Sequence, residues 1–363
     1  MSQLVFYRKY RPKDFSEVIN QKITVQILTN AISKNQIAHA YLFAGPRGTC
    51  KTTLARIFAK AINCEKRKEG EFEPCNKCSS CSDINESRAL DLIEIDAASN
   101  RGIDEIRELR EGIRFSPVRS KYKVFIIDEA HQLTKEAFNA LLKTLEEPPA
   151  YAVFILVTAE PEKMPATILS RVQRYDFKRL SLNDIIKRLE YISKKEDLKV
   201  HDEALRLIAL SSGGGLRDAE SLLGQISIIK DGKISLEDVE LLIGSVNFAK
   251  IKDFIDLMVK KDKSGAIKFI NEIHENGYDL SEFNKGIIGY LRRLLIIKIS
   301  NDLADLLKEE ITDDELNILV KQAEKLEVEH IKKWIDQFLS SQNTIKRSPI
   351  PTLPLELAVI ESF

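Results

Sequence analysis

From Ala38 to Lys178 short apolar runs alternate with stretches that are apolar on one face only. That is the pattern of a parallel sheet, its strands buried on both sides and covered by helices. The apolar runs predict strands at Tyr41–Ala44, Leu92–Asp96, Val124–Ile127, Val153–Val157 and Val172–Phe177. Between them apolar residues recur at three- and four-residue steps, as in Ile103, Ile106, Leu109 and Ile113, or Ala137, Leu141, Leu142 and Leu145, which predicts helices. After Arg179 the strand pattern stops. Ser181 and Asp184 form a capping signal that opens a helix, Gly213-Gly214-Gly215 breaks one, and Ser235 with Asp238 opens another that runs towards Gly244. Beyond it the chain is helical in period, with faces such as Ile251, Phe254, Ile255 and Met258. The expected organisation is an α/β domain over 1–178, a small all-α domain over 179–244 and an all-α bundle over 245–363.

Length agrees with this division, since 363 residues exceed one ordinary core. Hydrophobic residues at 44% and charged residues at 30% describe a globular chain that needs no disulfide framework. Fifty-five basic residues balance fifty-five acidic ones, so any nucleic-acid contact has to come from local patches. One such patch holds Arg101, Arg107, Arg110, Arg114, Arg119, Lys121 and Lys123, interrupted by Glu105, Glu108 and Glu111. No stretch reaches the roughly 18 apolar residues of a membrane span, and the N-terminus has no apolar signal region, so the expected location is the cytoplasm.

The chemistry concentrates at two places. Gly45, Pro46, Arg47, Gly48, Thr49, Cys50, Lys51, Thr52 and Thr53 lie between an apolar strand and an amphipathic run, the context of a phosphate-binding loop. Backbone N–H groups and the positive end of the following helix cradle phosphate there. Lys51 reaches the β- and γ-phosphates of ATP, and the Thr52 hydroxyl ligates Mg²⁺. Cys50 stands where the pattern has glycine, so a positive φ at that position costs strain. Its place beside Lys51 at a helix start predicts a lowered thiol pKa and a site sensitive to oxidation. The strand that ends in Asp128-Glu129 supplies the partner motif, with Asp128 for Mg²⁺ and Glu129 to orient and deprotonate water. The second place is Cys64, Cys75, Cys78 and Cys81, four thiols whose spacing suits tetrahedral Zn²⁺ in a closed, structural site spanning 64–81.

The runs Asp128 to Thr134, Ala140 to Pro149 and Thr167 to Arg171 resemble the gamma/tau family of bacterial DNA polymerase III clamp-loader subunits. That resemblance implies an AAA+ P-loop ATPase domain, a helical lid and a helical collar. It implies a first sensor at Thr158, an arginine finger at Arg171 acting on a neighbour's ATP, and a second sensor at Arg217 that reaches ATP in its own subunit. Where the family has Ser-Arg-Cys, this chain reads Ser170-Arg171-Val172. Tyr7 to Pro12, with Val18 and Ile19, resembles the segment that packs around adenine. The implied partners are delta, delta-prime and further gamma/tau copies in a pentameric ring, the sliding clamp and primed DNA, with location at the nucleoid and replisome. The implied activity is ATP hydrolysis that drives clamp loading, without polymerase activity in this chain. The alternative is a non-hydrolysing, delta-prime-like stator that only donates its finger.

Overall fold

The computed structural model describes residues 5–99, 111–229, 232–244, 248–300, 307, 311 and 313–363. The chain divides into two compact units, Met1–Asp197 with Ser211–Gln225, and Leu198–Leu210 with Ile226–Phe363.

The first unit is built on five parallel strands, β1 (Ala40–Ala44), β2 (Leu92–Asp96), β3 (Lys123–Asp128), β4 (Ala152–Thr158) and β5 (Gln173–Asp176), in the order β2-β3-β4-β1-β5. All five agree with the apolar runs, give or take a terminal residue. Every residue of β1 and β4 is buried. The reason lies in the alternation of a strand's side chains, which here serves two cores at once. Leu42, Phe125, Ile127, Phe154 and Leu156 face the helix Lys135–Glu146 through Ala137, Phe138, Leu141 and Leu145. Tyr41, Phe43, Val124, Ile126, Val153 and Ile155 pack on the opposite side with Leu54, Phe58 and Ile62 of the helix Lys51–Ile62, and with Leu28 and Ile32 of Lys22–Ser33. Phe125 and Phe154 stack across neighbouring strands at 5.2 Å. Truncating one of these rings to alanine costs about 3–5 kcal/mol.

The register sets where the strands stop. Asp96 pairs with Asp128, and Ala44 pairs with Thr158 on one side and Asp176 on the other. The carboxyl ends of the strands therefore finish level, with β1 between β4 and β5. In open α/β sheets ligands bind at that edge.

Ser181 caps the helix Leu182–Lys195 by accepting the Asp184 N–H, as its sequence predicts. In the second unit Ser235 and Asp238 form a reciprocal capping box at Leu236–Ile243, which ends at Gly244. One departure is a two-residue parallel pair, β6 (Lys199–Val200) with β7 (Lys233–Ile234), inside the stretch expected to be wholly helical. Two residues are too short to show a period.

The described elements that follow in the second unit are all helices: Phe248–Val259, Lys263–Glu275, Leu280–Ile299, Asp313–Ala323, Val328–Ile345 and Leu353–Glu361. The expected face of Ile251, Phe254, Ile255 and Met258 is buried against Phe283, Ile287, Leu291, Trp334 and Phe338. Among the described residues no helix is long and apolar enough to cross a membrane. Ile103, Ile106, Leu109, Arg101, Arg107, Arg110, Glu105 and Glu108 lie outside the described residues.

Candidate nucleotide and metal sites

The loop after β1 turns in backbone that side chains disfavour. Gly48 has φ +75° and Cys50 φ +68°, so Cys50 occupies the left-handed region that its glycine-like position suggested. A non-glycine residue there costs on the order of 1–2 kcal/mol. Gly48 has a second constraint. A Cβ on it would lie 2.7 Å from Gly215 Cα, and Leu216 N–H donates to Gly48 O at 3.0 Å. The glycine run that breaks the helices thus also lets their backbone meet the phosphate loop.

Lys51 is buried, and its amine donates to Gly45 O and Pro46 O, both at 2.7 Å. Burial holds its pKa below the usual lysine value, against the pull of Glu129 and Asp128. Thr52 donates to Asp128 Oδ2 at 2.7 Å, joining the two motifs that the sequence sets far apart. Glu129 sits at φ +48°. Its Oε1 is 3.6 Å from Arg47 Nε, while its Oε2 is buried with no hydrogen-bond partner. Thr158, fully buried, accepts the Glu160 N–H at 3.0 Å, and its hydroxyl lies 3.0 Å from His131 Nδ1. Lys51, Thr52, Asp128, Glu129 and Thr158 are thus gathered along the level strand ends. These residues fit a phosphate and a magnesium ion: a buried amine, a hydroxyl on a carboxylate and a carboxylate oxygen in want of a donor.

Arg217 and Arg171 make their contacts with other residues. The Arg217 guanidinium stands 4.8 Å from the centre of the Tyr7 ring, a cation–π pairing within the first unit. Arg171 binds Glu146 Oε1 through Nε at 3.1 Å and Nη2 at 2.6 Å, and donates to Thr167 O at 2.7 Å.

The expected acidity of Cys50 is corrected. Burial, reinforced by the charge of Glu220, pushes its thiol up to about 11 against Arg188, Arg11 and Lys51. Sequence shows Lys51 but not Glu220, which belongs to the helix Leu216–Ile229. Glu220 is itself buried, bonded to Arg188 Nε at 2.9 Å, and burial outweighs that partner to raise its pKa to about 7. Arg188 also donates to Tyr10 O.

The sulfur atoms of Cys64, Cys75, Cys78 and Cys81 all lie within 4.8 Å of one another. For four ligands at a Zn–S distance of about 2.3 Å this is the right order of spread. Amide donors already point at the cluster: Cys75 N–H to Cys64 Sγ at 3.3 Å, and Lys77 and Cys78 N–H to Cys75 Sγ at 3.4 and 3.2 Å. The set fits a structural zinc. A residue that sequence reading passes over anchors it. Lys60 is 2% exposed and its amine donates to Lys13 O, Asn76 Oδ1 and Asn85 Oδ1 at 2.6, 2.6 and 2.7 Å. It ties the helix that begins at Lys51 to the segment that carries the cysteines.

A strand-to-helix glycine loop with a buried lysine, a carboxylate pair and a buried threonine at the carboxyl edge of a β2-β3-β4-β1-β5 sheet define a P-loop ATPase fold. The family models that match are DNA polymerase III, delta subunit, over residues 20–181, DNA polymerase III clamp loader subunit, ATPase lid domain, over 184–229, and DNA polymerase III subunits gamma and tau domain III, over 234–362. DNA polymerase III subunit gamma of Buchnera aphidicola is 33% identical over 99% of this chain and 98% of its own length. DNA polymerase III subunit tau of Bacillus subtilis is 40% identical over 99% of this chain, which spans 63% of that relative's length. The chain belongs to the DNA polymerase III gamma/tau family. Among solved structures, RuvB of Thermotoga maritima aligns over 69% of this chain and 79% of its own, at 18% identity and a TM-score of 0.49, a likeness too weak to carry an argument.

Proposed function

We propose that this chain is an ATP-hydrolysing motor subunit of a DNA polymerase III clamp loader, which opens a sliding clamp and delivers it to primed DNA. The observation that carries the reading is the Thr52–Asp128 bond of 2.7 Å, with Oε2 of the next residue, Glu129, buried without a hydrogen-bond partner. Two groups that handle a metal–phosphate complex stand together, and the group that handles water is unsatisfied.

In this reading Lys51 neutralises the β- and γ-phosphates, with the amides of residues 45–53 around them. Thr52 and Asp128 would hold magnesium, which supplies positive charge to the phosphate oxygens. Glu129 orients the attacking water and takes its proton, and Thr158 positions that water. Arg217 reaches ATP in its own subunit. Arg171, released from Glu146, acts on a neighbour's ATP; such fingers are worth about 10³–10⁵ in rate. Cys64, Cys75, Cys78 and Cys81 would hold zinc as a cross-link without catalytic duty. The three-domain division at 1–178, 179–244 and 245–363 belongs to the same reading. So do delta, delta-prime and further gamma/tau copies in a pentamer, the clamp and primed DNA as partners, and a cytoplasmic, replisome-associated location. Arg114, Arg119, Lys121 and Lys123 remain candidates for phosphate contacts.

The stator alternative rests on Cys50. One strained position is a small departure, and intact Lys51, Thr52, Asp128 and Glu129 weigh against it. ATP turnover by the chain mixed with partner loader subunits, clamp and primed DNA separates the two. Turnover abolished by Lys51→Ala and cut sharply by Arg171→Ala supports the motor. Tight assembly without wild-type turnover would overturn it in favour of the stator.

A further inference from the structure

His131 follows the two carboxylates on a short turn, Ala130–Gln132, and its side chain is 1% exposed. Both ring nitrogens are engaged. Nδ1 lies 3.0 Å from Thr158 Oγ1 and 3.5 Å from Glu129 Oε2. Nε2 lies 3.1 Å from Glu160 Oε1 and 3.0 Å from the amide nitrogen of Gln132. Lys163 holds the other Glu160 oxygen at 2.6 Å, and the Glu160 N–H bonds Thr158 Oγ1.

Proton bookkeeping gives this ring a task. A carboxylate only accepts, so a neutral imidazole facing Glu160 carries its proton on Nε2 and accepts the Thr158 hydroxyl at Nδ1. In the other tautomer Gln132 donates to Nε2, and Nδ1–H meets Thr158 Oγ1, which frees the hydroxyl proton for a different acceptor. Both forms engage Thr158; they differ in where its proton points. The named partners of the ring are Glu129, Gln132, Thr158 and Glu160, and none belongs to the phosphate loop.

We propose that His131 is a positioning residue for ATP hydrolysis, setting the direction of the Thr158 hydroxyl and the stance of Glu129, with Glu160 and Lys163 holding the ring in place. This rests on the proposed roles of Thr158 and Glu129 in handling water. Because the ring touches those two groups, its loss acts on turnover and spares nucleotide affinity.

The test uses the full chain in the reconstituted loader with clamp and primed DNA, reading kcat and the affinity for a fluorescent ATP analogue. His131→Ala lowers kcat about tenfold or more and leaves affinity within about twofold. His131→Asn, whose amide reaches the place of Nδ1, recovers part of the loss, whereas His131→Gln, whose amide reaches the place of Nε2, recovers less. In a Thr158→Ala background His131→Ala costs less than it does in the wild type, because the share of its effect that runs through the Thr158 hydroxyl is already gone and only the share through Glu129 is left. A kcat within twofold of wild type in His131→Ala would overturn the proposal. So would a parallel fall in affinity, losses that multiply in the double variant, or equal recovery by Asn and Gln. If His131→Ala does not fold, the difference between the Asn and Gln variants decides the question in its place. Glu129→Gln separates the underlying reading: wild-type turnover in that variant refutes the role of Glu129, whatever His131 does.

Discussion

The nucleotide edge and the cysteine cluster are both assembled from polar groups taken out of water, and they settle their polar needs in opposite ways. At the cluster, amides converge on sulfur and Lys60 meets three carbonyl acceptors. At the nucleotide edge, Cys50 and Glu129 hold left-handed backbone, the Lys51 amine rests on its own loop, and Glu129 Oε2 has no hydrogen-bond partner, with His131 Nδ1 3.5 Å away. Polar groups inside a protein cost least when satisfied. A structural centre can be completed by the chain alone, while a centre that works on a visiting molecule keeps some groups in reserve.

The sharpest break of that contrast comes from Asp128→Asn. It should cut turnover about 10²–10³-fold, in the range of a lost electrostatic group at a reacting centre, with little change in thermal melting. A large drop in melting temperature would make Asp128 a fold-holding residue. Next comes Lys60→Ala, which orphans three acceptors. It should destabilise the first unit by about 1–2 kcal/mol, since Lys13, Asn76 and Asn85 are exposed or half-buried and water can replace the lost donor, while the folded fraction still turns over ATP. Chemical denaturation with a turnover assay reads both.

Smaller is the pH effect of Glu220. Its pKa rises on folding from the ordinary carboxylate value to about 7, so between those limits the folded state binds more protons than the unfolded one. Its contribution is favourable at low pH and fades as pH rises through about 7. Melting temperature across pH 5–8 should therefore decline less steeply in Glu220→Gln than in the wild type; identical slopes would discount the buried carboxyl. Least of all is Cys50→Gly. Relief of the left-handed strain, partly offset by the freer unfolded glycine, should stabilise the chain by about 1 kcal/mol or less. A loss of stability would mean that the thiol packs better than its backbone suffers.

What could be read from residues alone depended on the range of the interaction. The strands were legible because both faces of the sheet are covered, which leaves runs such as residues 152–157 apolar throughout. The phosphate loop, the carboxylate pair and the cysteines carry their spacing in the chain. His131 sits inside a legible motif, yet its part is invisible there, since its partners Thr158 and Glu160 come from β4 and the turn beyond it. Lys60 reads as a surface lysine on an amphipathic helix until Asn76 and Asn85 are folded against it. Cys50 shows the limit most directly: its neighbours in sequence argue for an acidic thiol, and its burial in the fold, with the charge of Glu220 added, makes it a reluctant one.

The seam between Gly48 and Gly215 has a mechanical meaning. Side chains are the compliant parts of a protein, able to turn about their bonds and absorb a displacement. Here there are none: main chain lies on main chain, fastened by the Leu216 N–H on Gly48 O. That seam is a fulcrum without a cushion. Whatever shifts the phosphate loop levers the start of the helix Leu216–Ile229 with it, and a single methyl group on Gly48 would wedge the joint open.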